Sequence, residues 1–174
     1  QVAQRGDQSS LTSGYTGVDR FTFTRTGAVA VTGKQAGASD SPQSNGFSAS
    51  LEIDITTADS SLAAGDFALV RQIIEAQNLQ GLKYGTSSAE NVTLSFWVKS
   101  PKTGTHIVEM YHYDGNVFNG QAYTVNSANT WEHKTLSFVG YQTTAIANDN
   151  TQGMLVQWWL SAGSTYSGGT LASN

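Results

Sequence analysis

The sequence predicts an all-β fold, a two-sheet antiparallel β-sandwich (jelly roll) with about nine strands and at most one short helical turn. The first observation is residues 91–99, where apolar and polar side chains alternate, which is typical of a strand with one buried and one exposed face. The second is a series of similar short segments separated by turns rich in Gly, Ser, Asn and Asp. We find no long stretch of helical periodicity and no repeat of fixed period, so solenoids and propellers are disfavoured.

The first half of the chain predicts four of these strands. Phe21 and Phe23 alternate with threonines in the first strand, and residues 28–32 form the second. Residues 33–46 are predicted as a loop, and residues 47–57 alternate strictly enough to predict a third strand. Residues 66–75 form a fourth strand that is apolar on both faces, and residues 76–84 contain the single helical turn.

The second half supplies the remaining strands. Residues 91–99 form the fifth strand, and Pro101 ends it because proline cannot donate to a β-ladder. The others are residues 105–113, 121–125, 131–139 and 154–161, and the Asp-Gly-Asn sequence at 114–116 is typical of a hairpin turn.

Residues 1–14 are polar and aperiodic, so they predict a linker or arm, and residues 15–174 predict a single β-sandwich domain. The sequence does not begin with Met, and we expect it to be a piece of a longer protein.

Composition excludes several classes of function. The 174 residues carry a net charge of −4 without any basic run, so nucleic-acid binding has no electrostatic basis. Absence of Cys from the sequence excludes disulfides, thiolate metal sites and cysteine nucleophiles. No long apolar run favours membrane insertion. A lightly charged surface rich in hydroxyl and amide groups favours neutral, hydroxyl-rich partners such as polysaccharides or cell-surface glycans.

Aromatic side chains on the predicted strands are the candidate ligand-binding residues, because flat rings stack on the C–H faces of sugars. Four aromatic residues from three strands are predicted to share a concave face, with four polar residues available to bind hydroxyl groups. The predicted set is Trp97, Trp159, Tyr111, Tyr113, Gln157, Arg71, Glu109 and Lys99. The alternative is that the aromatic rings fill the sandwich or a contact between subunits.

Catalysis is not predicted. No serine lies in a nucleophile-elbow pattern, and His106 and His112 are about 20 Å apart along a strand, too far to share a zinc ion. Glu75, Glu109 and Glu132 are the acidic residues that could form a glycosidase pair, but carboxylates on a sandwich face are more often solvated or hydrogen-bonded. We therefore expect a protein that is not an enzyme.

Three segments follow one another along the chain: L-E-I-D-I at 51–55, V-T-L-S-F-W-V-K-S at 92–100 and T-W-E-H-K-T-L-S-F at 130–138. Their order resembles the jelly-roll carbohydrate-binding modules of the galactose-binding-like class. The longer segments 63–67, 75–105 and 125–138 resemble still more closely a domain of tail-fibre and virion structural proteins of marine bacteriophages. The resemblance covers about residues 18–171.

This resemblance implies a non-catalytic recognition domain of a phage fibre or surface appendage, located on the virion or outside cells, that binds a host-surface glycan. The alternatives are a carbohydrate-binding module of a secreted polysaccharide-degrading enzyme, and a spacer or capsid decoration domain without a ligand. The resemblance also raises the expectation of a structural Ca²⁺, for which Glu52, Asp54 and Asp149 are the candidate ligands. Fibres are commonly trimeric, so the apolar outer face of residues 66–75 is a candidate homotrimer contact.

Overall fold

The computed structural model describes residues 6–8, 10–14, 18 and 20–169. Nine β-strands form in this part of the chain, as predicted. They are β1 (Phe21–Arg25), β2 (Ala30–Ala36), β3 (Ser50–Thr57), β4 (Phe67–Glu75), β5 (Val92–Val98), β6 (Gly104–His112), β7 (Val117–Val125), β8 (Glu132–Phe138) and β9 (Gln152–Ala162). Short 3₁₀ segments lie at Ala38–Asp40, Gln43–Asn45 and Ala76–Leu82, and the last of these is the predicted helical turn.

The described residues group into two compact units. The single domain over residues 15–174 stays a prediction. Unit 1 comprises the residues up to Arg71 together with Trp159–Gly169, and unit 2 comprises Gln72–Trp158. Strands β4 and β9 each contribute residues to both units, so the sequence shows no linker at which a boundary could be recognised.

Unit 1 is built around a core of apolar residues from two layers. Strand β2 pairs antiparallel with β3, and β1 lies next to β4. Phe23 of β1, Val31 of β2 and Val70 of β4 are buried together, and Leu51 and Ile53 of β3 pack against them. The alternation predicted for residues 47–57 therefore places Leu51 and Ile53 inward.

Part of the predicted arm belongs to this unit. Leu11 is 1% exposed within the core, and its backbone N–H donates to the carbonyl of Val31. Gln8 forms a β-bridge with Gly33. The described residues of the predicted linker or arm therefore contact unit 1, although the segment is polar and aperiodic; residues 1–5 and 9 lie outside the described residues.

Unit 2 is also a sandwich of two layers. Strands β5 and β8 pair antiparallel from Val92 opposite Phe138 to Val98 opposite Glu132. In the other layer β6 pairs with β7 and with β9. Buried side chains between the layers include Val108, Met110, Phe138, Met154 and Val156, with Val92, Leu94, Phe96 and Trp158 packed against them. The alternation predicted for residues 91–99 therefore places Val92, Leu94 and Phe96 inward.

No helix among the described residues is long and apolar enough to cross a membrane.

Candidate functional site

An exposed group of aromatic rings lies at the β6–β7 hairpin of unit 2. Tyr111 of β6 and Phe118 of β7 are cross-strand partners, and their rings stack with centroids 4.2 Å apart and planes inclined by 2°. Tyr113 lies beside them, with its ring 5.8 Å from that of Tyr111. Phe118 is 56% exposed and Tyr113 is 46% exposed. We call Tyr111, Tyr113 and Phe118 the hairpin aromatic surface.

The turn holds this surface in place. The hydroxyl of Tyr111 donates to Oδ1 of Asn116 at 3.1 Å, and the backbone N–H of Asn116 donates to the carbonyl of Tyr113. Asn116 adopts a positive φ of 48°, which asparagine tolerates better than most residues. The rings are therefore pre-positioned, which lowers the entropy cost of binding a ligand.

Two polar residues of the predicted site lie on the same face of the sheet. Glu109 precedes Tyr111 by two positions on β6, so both side chains point to one side. Gln157 of β9 is opposite Glu109, and its Nε2 donates to Glu109 Oε1 at 2.6 Å. Gln157 is 5% exposed, so mainly the glutamate is available to a ligand.

Trp97 and Lys99 lie elsewhere in unit 2. Trp97 is on β5, in the other layer, where its ring lies 5.2 Å from that of His133 on β8. Its side chain is partly exposed, as the alternation predicted, but it does not join the hairpin aromatic surface. Lys99 follows β5 and places its Nζ 5.4 Å from the ring centroid of Trp131 in a cation–π contact.

Arg71 and Trp159 belong to unit 1. Trp159 lies with Phe67 and Tyr166 in a second aromatic group, at centroid distances of 6.2 Å and 5.8 Å respectively. The ring of Tyr166 also packs edge-on against Phe67 at 5.1 Å. The eight predicted residues therefore do not form one site within either unit.

The same contacts bear on the expected trimer interface. Phe67 is covered by Trp159 and Tyr166, and Leu69 on the same face of β4 is 3% exposed within the chain itself. At these two positions the apolar outer face of β4 is therefore packed against side chains of the same chain. The homotrimer contact stays a prediction.

The predicted calcium ligands do not converge. No group of three His, Asp or Glu side chains that could hold a metal ion occurs in the described part of the chain. Glu52 pairs with Lys34 at 3.1 Å, and Asp149 accepts hydrogen bonds from the backbone N–H and the hydroxyl of Thr151. Hydrogen bonds from Thr151 lower the pKa of Asp149. A structural Ca²⁺ stays a prediction without a ligand set.

A cavity of about 230 Å³ opens between the layers of unit 2. His112 of β6 and Asn119 of β7 supply its polar lining, and Tyr84 and Tyr141 supply aromatic walls. His112 is 4% exposed, and neither of its ring nitrogens has a hydrogen-bond partner among the described residues. Oδ1 of Asn119 is likewise buried without such a partner.

Sequence reasoning missed Phe118 and this cavity. Phe118 falls just before the predicted seventh strand, and the period-two pattern there is interrupted by Asn119 and Gly120. His112 shares the inward face of β6 with Val108 and Met110, so a polar residue in an apolar series was the available signal.

No protein-family model and no curated protein matches this sequence. Among solved structures the chain is similar to the enzymatically active domain of tailspike protein 4 of bacteriophage CBA120, with a TM-score of 0.52 and 18% sequence identity. The match covers 83% of this chain but 17% of that chain. At this identity the likeness shows the all-β fold.

Proposed function

We propose that this chain is a non-catalytic recognition domain of a phage fibre or tailspike, and that it binds a host-surface glycan through the hairpin aromatic surface. The observation that carries the glycan proposal is the parallel stack of Tyr111 and Phe118 on an exposed strand face. The phage assignment is supported by the resemblance of segments 63–67, 75–105 and 125–138 to virion proteins and by the fold shared with a tailspike domain.

The hairpin aromatic surface suits a neutral sugar for two reasons. Each ring of the stack has one face against its partner. The rest of its aromatic surface is available to the C–H groups of a pyranose. Asn116 bonds the hydroxyl of Tyr111, and Glu109 lies on the same face of β6 as Tyr111, so both residues offer oxygen acceptors for hydroxyl groups. Mutual stacking of the rings also stabilises the hairpin, which by itself would be a structural role.

Affinity electrophoresis in gels that contain candidate surface polysaccharides tests the proposal. Tyr111→Ala and Phe118→Ala should each weaken retention about tenfold, the loss expected when one aromatic stacking contact of about 1.4 kcal/mol disappears. Trp97→Ala is the matched control, because it removes a partly exposed ring from the other layer of the same unit and should leave retention unchanged. Trp159→Ala separately tests the aromatic group of unit 1.

Unchanged retention in both Tyr111→Ala and Phe118→Ala would show that this surface is not the binding site. A glycan array on which nothing binds would favour the spacer or decoration role. Genes adjacent to the one that encodes this chain distinguish the remaining cases, since virion structural genes support a fibre and polysaccharide-degradation genes support a module of a secreted enzyme.

A further inference from the structure

We propose that His112 is a pH-sensitive switch of the β6–β7 hairpin: protonation of its imidazole opens the turn at residues 113–116 and releases the rings of the hairpin aromatic surface. This inference rests on the proposed function where it concerns ligand binding, because it names the regulation of the same surface. Opening of the turn is measured on the chain without any ligand, so the two proposals fail separately.

The imidazole of His112 is buried beneath this turn. His112 is 4% exposed, and neither ring nitrogen has a hydrogen-bond partner among the described residues. A neutral imidazole has one N–H donor, whereas an imidazolium has two and carries a positive charge. A buried donor without an acceptor is unfavourable, and a buried charge without a partner is more so. Protonation of His112 is therefore opposed while the turn is closed.

Gly115 brings the backbone of the turn against the imidazole. A Cβ on this glycine would lie 2.5 Å from Nδ1 of His112 and 2.9 Å from its Cε1, so even one added carbon atom does not fit between them. On other sides, the rings of Tyr84 and Tyr141 pack edge-on with centroids 5.4 Å from the imidazole. Hydration of an imidazolium at this position requires one of these walls to move.

The turn is the wall that moves most easily. Asp114 and Asn116 are exposed. The backbone N–H of Ala147 donates to Asp114 Oδ2 at 3.0 Å, and that of Asn116 donates to the carbonyl of Tyr113 at 3.1 Å. Tyr84, by contrast, is 7% exposed within the core of unit 2. Exposed segments with few buried contacts open at lower free energy than the core does.

The groups around the imidazole determine the direction of the pH response. Burial lowers the pKa of His112 from the ordinary value of 6.5, and the Asp114 carboxylate opposes this shift as the smaller effect. The phenols of Tyr84 and Tyr141 belong to the other segments packed against the ring, and the cross-strand partners of His112 on β7 and β9 are apolar. An imidazole released by opening regains its ordinary pKa, so a decrease in pH below 6.5 favours the open turn.

Opening of the turn affects the hairpin aromatic surface because the same residues hold both. Tyr111 precedes His112 and Tyr113 follows it. The hydroxyl of Tyr111 donates to Asn116 Oδ1, and the N–H of Asn116 donates to the carbonyl of Tyr113. Displacement of the turn breaks these bonds, so the rings lose their fixed positions. The entropy cost of binding a ligand then rises.

Amide hydrogen exchange of the full chain without ligand measures the opening. After correction for the intrinsic exchange rate, protection of the Asn116 and Ala147 amides should fall below pH 6.5 by up to about tenfold per pH unit, the limit for uptake of one proton. Low concentrations of urea distinguish local opening from global unfolding, because local opening exposes little surface and its exchange hardly changes with urea. A urea dependence as steep as that of the β5–β8 amides would overturn the inference.

His112→Phe removes the titratable group and keeps a ring, so protection of Asn116 should no longer fall below pH 6.5. His112→Leu is the second variant if His112→Phe does not fold. His133→Phe is the matched control, since that imidazole is exposed and lies in the other layer of unit 2. Asp114→Asn keeps an oxygen acceptor for the Ala147 N–H and should respond to pH as the parent does. Loss of the response in Asp114→Asn would assign it to the carboxylate instead.

Affinity electrophoresis at about pH 7.5 and about pH 5 measures the effect on binding, with a polysaccharide that retains the parent at the higher pH. Retention of the parent should weaken about twofold or more at the lower pH, the loss expected when half of the turns are open. His112→Phe should be retained equally at both values.

Protection that does not depend on pH in the parent, or that falls equally in the parent and His112→Phe, would overturn the inference. An open turn with unchanged retention would show that the turn does not regulate binding. If no polysaccharide retains the parent at any pH, the proposed function fails, and hydrogen exchange still decides whether protonation opens the turn.

Discussion

The carboxylate of Glu132, at the start of β8, accepts hydrogen bonds from the preceding loop. Glu132 Oε1 accepts from the backbone N–H groups of Asn126 and Ser127, each at 2.8 Å. Oε2 accepts from Asn126 Nδ2 at 2.9 Å and from Lys134 Nζ at 2.6 Å. The hydrogen bond from Lys134, followed by those from Ser127 and Asn126, lowers the pKa of Glu132 from 4.5 to about 2. This acidic residue, which the sequence left open as half of a glycosidase pair, thus has a structural role.

We expect Glu132→Gln to be less stable than the parent at neutral pH. The folded-state pKa is lower than that of the unfolded chain, so the ionised carboxylate contributes stability that is present above pH 4.5 and is lost as the pH falls through about 2. Urea unfolding midpoints of parent and variant should therefore converge between pH 4.5 and about 2. A constant difference across this interval would contradict the role assigned to the charge.

His112 should make stability depend on pH in a different interval. Burial lowers its pKa from the ordinary value of 6.5, and the nearby Asp114 carboxylate opposes that shift. The rings of Tyr84 and Tyr141 pack edge-on against it. Below pH 6.5 the unfolded chain binds a proton that the folded chain does not, so stability should fall as the pH decreases from 6.5.

His112→Phe should remove this part of the acid sensitivity, as measured by urea unfolding between pH 7.5 and 5. His133→Phe is the control, because that imidazole is exposed. An identical pH profile in His112→Phe and the parent would show that the buried imidazole does not titrate differently in the two states.

At the scale of the elements, every predicted strand is present and the errors are at strand ends. The sequence places Gly33 in a loop, but β2 continues to Ala36 because each of its residues pairs with β3 and Lys34 bonds Glu52 across the strands. Strand β7 begins at Val117, before the predicted start at residue 121, since the pairing of Tyr111 with Phe118 extends the hairpin. Long-range pairing overrides local composition at both places, which a single sequence cannot reveal.

Gly85 packs closely against the loop that carries Tyr141, at Thr144 and Ala145. Gly85 has a φ of +82°, and a Cβ there would clash with the backbone nitrogen of Ala145. Gly85→Ala should therefore destabilise the protein by about 1–3 kcal/mol, through both backbone strain and the clash. Gly81→Ala is the matched control, because no atom lies within 4 Å of its added Cβ and its φ is not in the left-handed region. Chemical denaturation that gave equal losses for the two variants would contradict this packing.

At the scale of the whole molecule, the sequence predicted the fold class but not the division into two units. Alternation reports which side chains of a strand are buried, and it does so correctly for Leu51 and Leu94. Alternation does not report which buried faces share a core. Strands β4 and β9 each pass from one unit to the other without a change in composition, so the sequence gives no sign of the division. The predicted site depended on the same missing information, since Trp97, Tyr111 and Trp159 are all partly exposed aromatic residues but have different neighbours.

The net charge of the molecule leads to a prediction about binding. With a net charge of −4 and three uncharged rings at the hairpin aromatic surface, the proposed contact with a neutral glycan releases few ions. Its Kd should change less than about twofold between about 50 mM and about 200 mM salt, whereas a protein with six to ten phosphate contacts loses about 10³–10⁵ in affinity over that range. Isothermal titration calorimetry at the two salt concentrations measures the difference, and Glu109→Gln serves as a comparison variant that removes a carboxylate from the same face of β6. Affinity that rose steeply with salt would show that the ligand is anionic and repelled by this acidic domain, in which case the neutral-sugar assignment would be replaced by one to an acidic polysaccharide.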